Sequence, residues 1–308
     1  MGDGIRTDRA WSLPKADLLA GRRALWWTAG PDGELAVMLV HRRRLRRSGT
    51  KGWVGSRPRP PFDALLVTVT DQGERRVALP ALQNAPTHLA LLPDRRLLLV
   101  VSRSFKEATT GSWQRNATVL DPSGKLLDTF CIGDDITALT TDPGGRIWTV
   151  YGDEGIYGDN PVSWKGMAGW DSAGRAVWSP EGRLPALPLG GWTAATEGED
   201  VWLAWYPGGS PGTVLTRITP STGETANLLS PVRNPDGLAV RGNRAVLTVR
   251  DHNRRSVEVV RAELEGTDWT VTDRRRLRTP GRVVLHCGQG RDGVLWLRAG
   301  HTWLRIRA

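Results

Sequence analysis

Residues 134–178 read DDITALTTDPGGRIWTVYGDEGIYGDNPVSWKGMAGWDSAGRAVW, and this stretch decides the fold. It predicts four short strands. The first covers 136–141, and DPGG turns it into a second over 146–151. A loop rich in Gly, Asp, Asn and Pro follows. The third strand covers 165–170, DSAG turns the chain, and the fourth covers 175–178. Each run is rich in β-branched and aromatic residues and is bounded by turn formers.

The rest of the chain repeats this unit. Ala36, Leu98, Trp148, Trp202, Val246 and Trp296 occupy one column, the middle of each second strand, at spacings of 62, 50, 54, 44 and 50 residues. A turn precedes each: PDG at 31–33, PDR at 93–95, PGG at 143–145, EGE at 197–199, RGN at 241–243 and RDG at 291–293. Self-similarity at this period is the mark of a propeller or an array. The expected fold is all-β: a single six-bladed β-propeller over residues 1–308, with four-stranded antiparallel blades. The last repeat has only three strands. Residues 9–13 are expected to supply its fourth, so that N- and C-terminal segments close the ring and leave no free edge. A basic insertion at 41–60 explains the first spacing. Trp148, Trp202 and Trp296 are expected to fill the wedges between blades.

The chain has 308 residues and a formal net charge of +10. Only 5 of its 42 basic residues are Lys, and the Arg excess is scattered, as a GC-rich genome would produce. The exception is HRRRLRRSGTKGWVGSRPR at 41–59, where Trp53 stands among the charges. Such a run can grip phosphates and stack a base. One loop is a small footprint, however, so nucleic acid is not the expected partner. No apolar run approaches the ~20 residues of a membrane span, and residues 1–21 lack the apolar core of a signal peptide. A cytoplasmic protein is expected. Cys131 and Cys287 fall in different repeats without metal spacing, and are expected to be buried free thiols.

Loops between first and second strands are tight, as are those between third and fourth. The loops between second and third strands are long: 41–60, 102–115, 152–164, 206–212 and 251–256. Function on a rigid scaffold sits in such loops, so a site is expected on the long-loop face, around the channel mouth. The candidate ligand-binding residues are His88, Asp135, Asp153, Trp192, Tyr206, Asp236, Arg250 and His252. Asp and Asn here also have a plain role as turn caps. His88 and His286 lie among apolar neighbours, as core histidines do. No Ser-His-Asp order, Cys-His pairing or GxSxG is present, and neither GDGI nor GQGRDG leads into a helix as a phosphate loop would.

The repeated turn-hydrophobic-Trp pattern resembles the six-bladed propellers of the NHL and SMP-30/gluconolactonase-like group. NPDGLAV at 234–240 is similar to the motif that leads into a first strand in lactonase-type members. There Asn and Asp hold a divalent cation such as Ca or Zn. The resemblance therefore implies Asn234 and Asp236, with Asp135 beside them, as metal ligands. The ligating Glu of that family stands in an E-G-P context near the first blade, and here GRRALWW takes its place. IGDDITALTTDPGGRIWTVYGDEGIYG also looks like a motif of uncharacterised bacterial propellers.

No complete catalytic set can be assembled from these residues. The expected function is non-catalytic: binding of a protein partner or small ligand on the long-loop face, with no cofactor. The alternative is a metal-assisted, lactonase-like hydrolase or isomerase at the channel mouth. Nucleic-acid binding through 41–59 comes third. Carboxylates converging at the mouth need a positive charge between them. An Arg is expected to supply it, with Arg23, Arg250 and Arg282 placed to reach inward.

Overall fold

The computed structural model describes residues 5–47, 56–209, 212–251 and 255–308. It is all-β, built from four-stranded antiparallel units in chain order. The first unit is Arg22–Ala29, Leu35–His41, Phe62–Thr70 and Gly73–Leu82. The second is His88–Leu91, Leu97–Val100, Ala117–Leu120 and Leu126–Phe130. The third, the stretch quoted above, is Ile136–Thr141, Ile147–Tyr151, Met167–Trp170 and Ala176–Trp178. The fourth is Gly191–Glu197, Asp200–Trp205, Val214–Thr219 and Glu224–Leu229. The fifth is Gly237–Arg241, Arg244–Arg250, Ser256–Glu265 and Asp268–Arg278. The C-terminal unit runs Val283–Arg291, Val294–Ala299 and Thr302–Arg307, and Asp8–Ser12 pairs with its last strand. Two ladder contacts, Ala195 with Gly290 and Thr196 with Arg291, join the fourth and C-terminal units into one eight-stranded sheet.

The turns form for local reasons. Asp142 Oδ1 accepts the N–H of Arg146 at 2.9 Å, and its Oδ2 accepts the indole N–H of Trp148 at 2.9 Å. One side chain thus closes the DPGG turn and satisfies the buried Trp of the repeat column. Gly145 completes the turn at φ 82°, a conformation that penalises residues with a Cβ. Asp121 and Asp171 hold the DPSG and DSAG turns through the same kind of bonds, to Ser123 and Lys125 and to Ala173 and Arg175.

The apolar core lies between units. One cluster joins the first unit to the second through Met38, Phe62, Leu91 and Leu99. Others join second to third, third to fourth, fourth to fifth, and fifth to C-terminal. The last cluster sets Trp11 and Leu13 of the N-terminus with Trp296 and Trp303 of the C-terminal unit against Trp27 and Val37 of the first. Trp148, Trp202 and Trp296 are all buried in these seams. The innermost strands touch in cyclic order, from the first unit round to the C-terminal unit and back to the first.

Several elements differ from expectation. The N-terminal strand is Asp8–Ser12 rather than 9–13. The 41–60 insertion is not wholly a loop: a 3-10 turn at Arg42–Arg44 leads into a two-stranded ribbon, Leu45–Arg47 against Ser56–Pro58. Trp53 lies outside the described residues. A short helix, Lys15–Leu19, has no repeat counterpart. Its Asp17 is buried and ion-paired with Arg22 at 2.7 Å and Arg76 at 2.9 Å, which staples the helix to both edges of the first unit. Among the described residues, no helix is long and apolar enough to cross a membrane.

Candidate functional site

Each innermost strand runs from the long-loop face to a tight turn, so residues distant in sequence meet at its two ends. At the long-loop end, four side chains lie together: Asp236, Arg250, His286 and His88. Asp236, just ahead of the fifth unit, is buried. Its Oδ2 accepts the backbone N–H of Arg250 at 3.0 Å, and its Oδ1 lies 3.3 Å from Arg250 Nε. Main chain and side chain of one Arg thus grip one carboxylate, a charge-assisted arrangement.

His286 stands in the field of this pair and of His88. Its Nδ1 lies 3.0 Å from the carbonyl of Trp192. His88 Nε2 lies 2.9 Å from the carbonyl of Ile136, which also accepts the Ser102 hydroxyl at 2.7 Å. A carbonyl can only accept, so each imidazole donates there and keeps its other nitrogen as a bare acceptor. Burial holds the His88 pKa down to about 4. The His286 ring is reachable by water yet walled by neighbouring strands, and that enclosure lowers its pKa too. Both rings are neutral at pH 7. His286 also sits at φ 53°, a left-handed conformation costly for His. Trp192, a predicted ligand-binding residue, instead packs its ring into the core between the fourth and fifth units, where its indole N–H is buried and has no hydrogen-bond partner among the described residues.

The remaining candidates lie elsewhere. Asp135 belongs to a second group on the third unit, with Asp134, Asp153 and Arg103. Burial pushes its carboxyl above the ordinary range, Arg103 pulls it back, and Asp134 and Asp153 push it further up. Asp153 is exposed in the helical turn Asp153–Ile156, and Tyr206 is exposed on the fourth unit. Asn234 is exposed at φ 49°, its N–H bonded to Thr213 Oγ1 at 2.9 Å. His252 lies outside the described residues.

The metal-ligand set does not fit a cation. The charge facing Asp236 is already the Arg250 guanidinium, and Asp135 is engaged with the Arg103 group. Among the described residues, no three His, Cys, Asp or Glu side chains gather as a metal-holding group. Of the Arg residues expected to reach inward, Arg250 does meet Asp236. Arg23 instead donates to the carbonyls of Arg22 and Leu18, and Arg282 is exposed.

The Arg that fills the axis is one that sequence reading assigned to a turn. Arg291, at the tight-turn end of the C-terminal unit's inner strand, is 4% exposed. Its Nε–H donates to Ala29 O at 2.9 Å, and its Nη1 reaches Thr141 O and, at 3.1 Å, Thr196 Oγ1. One side chain thereby ties together the first, third, fourth and C-terminal units. Burial lowers its pKa to about 10, with Glu34, Asp292 and Asp142 nearby as counter-charges. Two residues earlier, Gln289 Oε1 accepts from Ala29 N at 2.9 Å and Thr28 Oγ1 at 3.0 Å. Gly290, between them, lies so near the axis that a Cβ would fall 2.1 Å from Leu238 O. This end of the axis is packed with side chains, and the site described above lies at the other end.

The architecture is that of a β-propeller. The chain is similar to a protein assigned as an oxidoreductase (glucose dehydrogenase) from Thermus thermophilus, at 14% identity and TM-score 0.50, covering 98% of this chain and 100% of that one. It is also similar to a protein assigned as a gluconolactonase, at 14% identity and TM-score 0.47, covering 99% and 93%. Hydrazine synthase of Kuenenia stuttgartiensis is similar at 14% identity and TM-score 0.49, covering 94% and 96%. At this identity the likeness is one of fold. No family model matches the chain, and no curated protein matches it.

Proposed function

We propose that the chain is a single six-bladed propeller that binds a small polar ligand, without converting it, in the mouth of its central channel. The observation that carries this reading is the group of His88, Asp236, Arg250 and His286 at the long-loop end. It offers two neutral imidazoles, each with one ring nitrogen left as an acceptor, and a guanidinium held to Asp236 through Nε. Such a set suits a ligand carrying hydroxyl or amide donors, and a few placed polar groups in a concavity are what small-molecule sites consist of. Arg291 supports the reading from the other end, because a packed axis leaves the ligand one way in. The unpaired Cys131 and Cys287 suit a reducing, cytoplasmic location. Cys287 is buried, while Cys131 is only half so.

The test is a thermal-shift screen of neutral polyols, amides and small carboxylates, with isothermal titration of the hits. Hits are expected to lose at least tenfold in affinity in His88→Ala and His286→Ala. Hits that bind both variants as they bind the parent would sink the reading. The metal-assisted alternative has its own check, elemental analysis after dialysis. Stoichiometric divalent metal in the parent that disappears in Asp236→Ala would replace the binding reading with the hydrolase.

A further inference from the structure

Large aromatic side chains are nearly all inside this protein, and the exceptions are not scattered. Among the described residues, the exposed aromatics are Phe105, Tyr157, Trp164 and Tyr206. All four lie in long-loop segments of three consecutive units, the second, third and fourth. Leu187 is exposed beside them, whereas the exposed large hydrophobics elsewhere are all aliphatic.

The four are linked by contacts into one arc. The Arg103 guanidinium lies 5.3 Å from the Phe105 ring centroid and pairs with both Asp134, at 3.0 Å, and Glu154. Glu154 belongs to the helical turn that Tyr157 immediately follows. The Trp164 indole N–H donates to Gly158 O at 2.7 Å. Two residues on, a Cβ at Gly166 would fall 2.5 Å from Pro188, so the third unit's loop abuts the segment carrying Leu187. Tyr206 N–H donates to Gly190 O at 2.8 Å, and Tyr206 O accepts Leu189 N–H at 2.7 Å. Ion pairs, hydrogen bonds and packing therefore tie the segments of the arc together, and docking on it costs little ordering entropy.

Its charge is opposite to that of the whole chain. Asp153, Glu154 and Asp159 are exposed on the loop, with Asp134 and Asp135 beneath, against Arg103 and Lys165. With Lys106, Glu107 and Arg115 of the second unit's loop counted, six carboxylates face four cations, a local net charge of −2 in a chain of net charge +10. Exposed aromatics beside a local excess of carboxylates match the core-and-rim composition of protein interfaces. The complement is a chain with cations for the carboxylates and apolar groups for the rings. We propose that this arc docks a protein partner through an extended basic segment whose Arg or Lys residues alternate with apolar ones. The surface is separate from the channel-mouth group and does not depend on the ligand proposed there.

Selection of a phage-displayed library of random 12-residue peptides on the immobilised full chain tests this. Enriched sequences are expected to interleave Arg or Lys with aliphatic or aromatic residues. By fluorescence anisotropy, they should bind Trp164→Ala and Tyr157→Ala at least tenfold more weakly than the parent, and should weaken as salt rises. Both substituted side chains are exposed, so unchanged unfolding midpoints are expected to show that the fold survives. Enriched peptides that are acidic or neutral, or that bind both variants as tightly as the parent, would overturn the proposal. So would a concentration-dependent dimer in light scattering that Trp164→Ala abolishes, because the arc would then belong to a second copy of this chain.

Discussion

Arg291 Nε–H donates to the carbonyl of Ala29 across 2.9 Å, joining residues 262 apart in sequence. The same guanidinium reaches Thr141 and Thr196, so one cation is shared among four units. Removing it leaves several buried acceptors without donors. Arg291→Ala is expected to destabilise the protein by about 3 kcal/mol or more. Arg291→Met, which refills the volume, should cost less than the Ala variant. Guanidinium denaturation of the two variants checks both, and equal stability of parent and Ala variant would refute the axial role.

Trp11 makes a second long-range closure. It is buried, lies 5.2 Å from the Trp303 ring, and donates its indole N–H to Glu74 Oε1 at 2.8 Å. Trp11→Ala is expected to cost about 3–5 kcal/mol. Trp11→Phe keeps most of the packing and loses the hydrogen bond, about 1 kcal/mol. Denaturation midpoints would show the order, and a Phe variant as weak as Ala would contradict it.

His88 predicts a pH dependence. Burial lowers its folded pKa from the ordinary 6.5 to about 4. The unfolded ring therefore takes up a proton first as pH falls, and unfolding gains protons in that window. Stability contributed by the neutral ring is present above pH 6.5 and is lost between 6.5 and 4. The loss amounts to at most about 3 kcal/mol. The slope of unfolding free energy against pH should flatten there in His88→Gln. An unchanged slope would mean that another group carries it.

Asp17 acts lower on the scale. Burial pushes its carboxyl up, but the hydrogen bonds and charges of Arg76 and Arg22 outweigh this, and its pKa falls below 3.8. Its contribution is present above pH 3.8 and lost as pH drops through the folded value. Asp17→Asn should destabilise the protein at pH 7, and its gap from the parent should narrow as pH falls below 3.8. A gap that stays constant with pH would rule out the ionic contribution.

The basic run at 41–59 should bind DNA or heparin weakly, with affinity that collapses as salt rises, because released counterions drive such contacts. Tight, sequence-dependent binding in a gel-shift assay at physiological salt would make it a specific nucleic-acid arm instead.

Sequence determined what is local. The strand-turn-strand pattern was legible because each DPGG, DPSG or DSAG closes on its own Asp within four residues. The Trp residues of the repeat column announced their burial because packing between similar units recurs at a similar place in each. The N-terminal strand was readable within one residue, since the last repeat visibly lacked a partner. The candidate site was only partly legible. His88, Asp236 and Arg250 are among the predicted residues, but nothing local says that they meet while Asp135, Trp192 and Tyr206 fall outside their group. His286 read as a core histidine, and Arg291 read as one more turn residue in RDG. Their roles depend on which strands converge on the axis, and that is set by packing between units up to 262 residues apart. Tertiary structure also decided which rings share a face with the carboxylates of 134–159, because the long loops of three units bring Phe105, Trp164 and Tyr206 to one side.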